Sequence, residues 1–212
     1  MIGIFGGTFD PVHYGHIKPA LDVKQSLGLE ELRFIPCSIP AHRATPIATV
    51  EQRLDMLHAA IDEHENCVLD ERELNRQGVS YMVDTLQSLQ QDFNGKHFCL
   101  IIGMDAFLGL NQWHQWQQIF ELANCAVTYR PGFELNLAQL PVDLFNEVKR
   151  RQVDSVNAFV EKQQGVILFI PVTQLDISAT DIRHRVKYAK SIEEFVPPAV
   201  NNVIQQQKIY VG

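Results

Sequence analysis

Two short stretches near opposite ends of this chain carry residue types suited to phosphate chemistry. The first, "GGTFDPVHYGH" (Gly6–His16), joins an apolar run to a periodic one. Gly6 and Gly7 let the backbone approach a ligand and offer N–H groups to phosphate oxygens. His13 and His16 stand three apart at a helix start, so both imidazoles can face one anion, with Gly15 keeping the space open. Helix capping by these imidazoles is the alternative, and two histidines without a nearby cysteine or third ligand make a poor metal site. The second stretch, "ISATDIR" (Ile177–Arg183), has the S-x-x-D capping pattern, with Ile177, Ile182 and Val186 at helical spacing. It predicts a helix N-terminus where unpaired N–H groups and the dipole favour an anion, and where Thr180 and Arg183 add a hydroxyl and a permanent cation. An ordinary capped surface helix is the competing reading. The first stretch is neither GxGxxG nor GxxxxGK[ST].

Elements to position these residues are legible in the hydrophobic pattern. Ile2–Phe5, Leu32–Ile35, Cys67–Leu69, Phe98–Ile102, Ala123–Val127 and Val166–Ile170 read as buried strands. Longer periodic segments lie between them. Ile17, Leu21 and Leu27 fit a helix stopped at Gly28, and Leu54, Leu57 and Ile61 mark another. Ser80–Gln91, Trp113–Leu122, Val153–Lys162 and Pro197–Gln207 are further helix candidates. Strands alternating with helices predict a parallel sheet wrapped by helices. Pro131 to about Gln152 is the least regular part and reads as a long connection or appended arm. In such a sheet ligands gather at the carboxyl ends of strands, which is where the first stretch falls.

The chain has 212 residues, 46% of them hydrophobic, which predicts one α/β domain over 1–212 with a substantial core. A net charge of −7 argues against broad binding to nucleic acid or anionic membrane, so any phosphate site must be local. No apolar run approaches the roughly 20 residues of a membrane span, and "IGIFGG" lacks the features of a signal peptide. The expected location is cytoplasmic. Cys37, Cys67, Cys99 and Cys125 are dispersed singles without a CxxC pair, and read as small hydrophobes.

"GGTFDPVHYGH" resembles the signature loop of the HxGH nucleotidylyltransferases, and in this extended form that of the bacterial nicotinate-nucleotide adenylyltransferases. Four further blocks extend the resemblance in order: "PCSIPAHR" (36–43), "DERELNRQGVSYMVDTL" (70–86), "IIGMDAFLGLNQWHQW" (101–116) and "ISATDIR". The resemblance implies a Rossmann-like, doubly wound parallel sheet in a single domain, and transfer of AMP from MgATP to nicotinate mononucleotide with release of pyrophosphate. It implies that His16, His13, His42, Arg43 and Arg183 act on the reacting phosphates. ATP would be held by Gly6, Gly7, Thr8, Phe9, His13, His16, Gly103, Asp105, Ser178, Thr180 and Arg183. Nicotinate mononucleotide would meet Thr8, Phe9, His42, Arg43, Tyr81, Met82, Thr85, Trp113 and Arg130. Asp105 would accept from ribose hydroxyls or cap a helix, and Trp113 would wall the pyridine ring or pack in the core. Pro40-Ala-His-Arg43 replaces the family's commoner Pro-Pro-His-Lys, and Met82 the threonine of "SYT". Mg²⁺ would come with ATP, without a protein ligand set. Nicotinamide mononucleotide or phosphopantetheine as acceptor, a non-catalytic nucleotide-binding module and a nicotinamide-dependent oxidoreductase are the rivals. Oligomeric state stays open.

Overall fold

The computed structural model describes residues 1–40, 45–129, 140–173 and 175–211. All six sequence-predicted strands form: β1 (Ile2–Gly7), β2 (Glu31–Pro36), β4 (Cys67–Leu69), β6 (Phe98–Gly103), β7 (Asn124–Tyr129) and β8 (Ile167–Pro171). They make one parallel sheet in the order β4-β2-β1-β6-β7-β8. The two-residue strands β3 (Ile39–Pro40) and β5 (Val79–Ser80) pair in parallel apart from it and are too short to leave a periodic signal.

The helices are α1 (Tyr14–Leu27), α2 (Val50–Ile61), α3 (Met82–Asp92), α4 (Met104–Phe107), α5 (Trp116–Leu122), α6 (Val142–Arg151), α7 (Val156–Val160), α8 (Ala179–Lys187) and α9 (Pro198–Gln206). Gly28 ends α1 in the left-handed region at φ 59°, as its place after the last apolar residue predicts. Both faces of the sheet are covered. In β6, Cys99 and Ile101 join the core built with α1, α2, α8 and α9, whereas Phe98, Leu100 and Ile102 join the core built with α3, α5 and α6. This alternation is the two-residue period of a strand, apolar on both sides because helices cover both faces.

Three expectations change. The segment from Pro131 to Gln152 is not wholly irregular: 140–152 holds α6, whose Leu144 and Val148 are buried one turn apart and whose last turn carries Lys149, Arg150 and Arg151 beside the helix's negative end. The helix expected over Trp113–Leu122 begins at Trp116, because Gln115 takes a left-handed backbone at φ 48°. That expected over Val153–Lys162 shortens to α7, started by the Ser155 hydroxyl accepting from Ala158 N–H.

Strand order reverses between β1 and β6, the first leading into α1 and the second into α4. A doubly wound sheet opens a crevice at such a switch point, outside the carboxyl ends of the strands. Gly6–Thr8 and Gly103 stand at its two sides.

Candidate active site

The glycines of the first loop do more than give access. A Cβ on Gly7 would lie 2.8–3.1 Å from the Phe9 ring, and one on Gly6 would lie 2.7 Å from Met82 Cε. Phe9 has φ 51° and is 1% exposed. Its ring sits among Phe5, Phe34 and His16, at centroid distances of 5.9, 6.1 and 5.3 Å. The left-handed turn at Phe9 thus anchors the loop in the first core. Gly15 makes room for His13 itself, since a Cβ there would meet the imidazole at 3.0–3.1 Å and the Ile177 carbonyl at 3.5 Å.

His13 and His16 are brought together as expected, with rings stacked 3.7 Å apart at 24°. His13 is the N-cap residue of α1 by position, yet its side chain makes no cap hydrogen bond, so the capping alternative fails for it. Among the described residues its buried Nδ1 has no hydrogen-bond partner. Two imidazolium rings in this contact would repel, and burial pushes the pKa of His13 down to about 4. His13 is therefore neutral at pH 7 and has a hydrogen bond, not a charge, to offer a ligand. The lowered value makes stability depend on pH. Between 6.5 and about 4 the unfolded chain binds a proton that the folded one refuses, so stability is lost as the pH is lowered through this range. Urea denaturation at pH 7 and pH 5 is expected to show a loss of about 2 kcal/mol from this residue, absent in His13→Gln.

The second stretch forms as a capped helix. Ser178 is the N-cap of α8 and accepts from Asp181 N–H at 3.1 Å. The reciprocal half of the capping box is absent, because the Asp181 carboxylate accepts from Arg185 instead. Arg183 reaches across to the first loop, donating to the Asp10 carbonyl at 2.6 Å and to Thr180 Oγ1 at 3.2 Å. Its guanidinium also lies 3.8 Å from the Asp10 carboxylate. With Ile177 beside Gly15, the starts of α1 and α8 face one crevice.

Gly103 is the N-cap residue of α4, and a Cβ there would meet nothing within 4 Å, so open space lies over the end of β6. Asp105 is exposed in the first turn of α4 and is not its cap. Tyr81 precedes α3 and packs on His114 at a ring distance of 4.4 Å. Met82 follows it and extends toward Gly6. Thr85 is fully buried and donates to Glu73 at 2.6 Å, so it braces the wall from behind and does not line it. Trp113 is half-buried against the second core. His42, Arg43 and Arg130 lie outside the described residues.

Three residues of this site are absent from the sequence reading. Arg53 on α2 is 1% exposed, and its Nη1 donates to the carbonyls of Thr8 at 3.0 Å and Cys37 at 2.8 Å. Its signal was an arginine in the stripe Arg53, Met56, Leu57, Ala60, otherwise the buried face of α2. Asp10 is 5% exposed and accepts from Ile47 N–H, Ala48 N–H and the Tyr210 hydroxyl. No local pattern marks Tyr210, because its partner is 200 residues away.

Residues 4–185 match the cytidylyltransferase-like family model. Over 99% of both chains the sequence is 44% identical to a protein of Methylococcus capsulatus named "Probable nicotinate-nucleotide adenylyltransferase". A relative of the same name from Halorhodospira halophila is also 44% identical, over 99% of this chain and 94% of its own. The chain belongs to the nicotinate-nucleotide adenylyltransferase family. Its fold is also that of the Plasmodium falciparum nicotinic acid mononucleotide adenylyltransferase complexed with NaAD. That structure aligns with a TM-score of 0.72 at 15% identity, covering 99% of this chain and 96% of the other. The cytidylyltransferase-like match takes in both phosphate stretches. The adenylyltransferase relatives extend past it to include α9 and the segment bearing Tyr210.

Proposed function

We propose that this protein transfers AMP from ATP to nicotinate mononucleotide, forming nicotinate adenine dinucleotide and pyrophosphate. Membership of the adenylyltransferase family supports the reaction class. The observation that carries the reading is the crevice itself, where the stacked His13–His16 pair on α1 meets the Ser178-capped start of α8 across the Arg183–Asp10 bridge.

The acceptor's phosphate monoester has a second pKa near ~6 and is largely ionised at neutral pH, so no strong general base is needed. One of its oxygens attacks the α-phosphorus of ATP in line. The new P–O bond forms as the bond from the α-phosphorus to the bridging oxygen breaks, and pyrophosphate leaves with that electron pair. His16, the neutral His13 and the N–H groups at the start of α8 hold the α-phosphate and the departing pyrophosphate. Gly6, Gly7, Thr8 and Phe9 sit at the junction of the substrates. His42 and Arg43 would act on the reacting phosphates, Ser178, Thr180 and Arg183 hold the triphosphate, and Gly103 and Asp105 face the ATP ribose. Tyr81, Met82 and Trp113 form the nicotinate side, with Thr85 behind them, and Arg130 would contribute to binding the nucleotide. Holding two anions in line supplies about 7–11 kcal/mol of the barrier reduction.

The groups gathered here are imidazoles, N–H donors and a guanidinium, and the Asp10 carboxylate is already filled by N–H and O–H donors. They fit a metal that arrives on the nucleotide, because phosphate-linked Mg²⁺ keeps several waters and few protein ligands. Bound Mg²⁺ would offset charge on the triphosphate. We place this activity in a single domain over 1–212 and in the cytoplasm; among the described residues no helix is long and apolar enough to cross a membrane. Adding nicotinate mononucleotide to protein and MgATP should release pyrophosphate and form the dinucleotide. Folded protein that releases none rejects the reading.

A further inference from the structure

The Asp10 carboxylate accepts hydrogen bonds from two distant parts of the chain and faces a cation from a third. Ile47 N–H donates to Oδ2 at 2.8 Å, Ala48 N–H to Oδ1 at 3.0 Å, and the Tyr210 hydroxyl to Oδ1 at 2.8 Å. Arg183, which holds the Asp10 carbonyl, approaches the same carboxylate. Ile47 and Ala48 lie just beyond the His42–Arg43 segment, and β3, paired with β5, lies just before it. Asp10 therefore ties the backbone at Ile47 and Ala48 to the first loop and is also the partner of Arg183.

Tyr210 lies beyond α9, with φ 65°, and Lys208 nearby has φ 51°. Bulky side chains rarely adopt this region, and such strain persists only where surrounding contacts impose it. What holds Tyr210 is its partial burial against the first core and the bond to Asp10. Burial and the adjacent carboxylate push its phenol up, so the hydroxyl stays a donor.

We propose that Tyr210 is a positioning residue for adenylyl transfer, its hydroxyl orienting the Asp10 carboxylate that aligns Arg183. The proposal rests on the adenylyltransferase reading above. Tyr210→Phe keeps the ring and removes only the donor. Gln207→Ala removes another anchor of the same segment, the 2.7 Å bond to Asp55, without touching Asp10. With rates normalised to folded protein, Tyr210→Phe should lower kcat about tenfold while KM for both substrates stays within about twofold, and Gln207→Ala should keep wild-type kcat. Wild-type kcat in folded Tyr210→Phe, or an equal loss in Gln207→Ala, overturns the positioning role and leaves the adenylyltransferase reading intact. Wild-type protein that cannot form the dinucleotide from MgATP and nicotinate mononucleotide overturns both.

Discussion

Replacing His16 with alanine is expected to lower kcat by about 10²–10³, the usual cost of removing one donor aimed at developing charge. The ring is held in a fixed orientation that suits the proposed role. It stacks on His13 at 3.7 Å and meets the edge of Phe9 at 5.3 Å, so it is oriented before substrate arrives. Because the contact strengthens as charge moves to the leaving group, the loss falls on kcat and kcat/KM together, with KM for ATP little changed. His16 is only partly buried, so the variant should fold. Steady-state kinetics on protein of wild-type circular dichroism checks this. A kcat within about threefold of wild type would remove His16 from the chemistry.

The second large effect is on stability. Arg53→Met is expected to cost about 3 kcal/mol, because hydrogen bonds to a charged donor contribute roughly 1.5–3 kcal/mol each and two buried carbonyls lose theirs. Those carbonyls are Thr8, in the phosphate loop, and Cys37, just after β2, so Arg53 ties the crevice floor to α2. Methionine refills the volume and isolates the lost bonds from a cavity. For a chain of this size the cost lowers Tm by about 10 °C. Activity should fall too, as Thr8 loses its tether. A Tm within about 2 °C of wild type would show that the guanidinium does not hold the loop.

Much of this was legible because parallel strands covered on both sides are apolar throughout. The runs around Ile4, Phe34, Val68, Leu100, Ala126 and Leu168 each became a strand of the sheet. The two phosphate stretches were legible from local chemistry: a glycine-flanked histidine pair and a serine three residues before an aspartate. What escaped is non-local. The sequence explains Gly7 by ligand access, whereas its neighbour is the Phe9 ring, turned inward by a left-handed backbone that no pattern announces. The resemblance puts Thr85 in the pocket with Tyr81, yet it lies one turn further along α3, on the buried face. Asp10, Arg53 and Tyr210 reach their partners only when α2 and the segment after α9 pack on the first loop. The helix over 142–151 was readable from Leu144, Val148 and the basic last turn, but was masked by the irregular sequence before it.

The choice of acceptor is tested most directly by comparing three acceptors side by side. Folded protein with MgATP is given nicotinate mononucleotide, nicotinamide mononucleotide or phosphopantetheine, and pyrophosphate and adenylylated product are measured together. Nicotinate mononucleotide should give equimolar pyrophosphate and dinucleotide with the highest kcat/KM of the three. Turnover of another acceptor by protein that leaves nicotinate mononucleotide untouched would contradict the assignment.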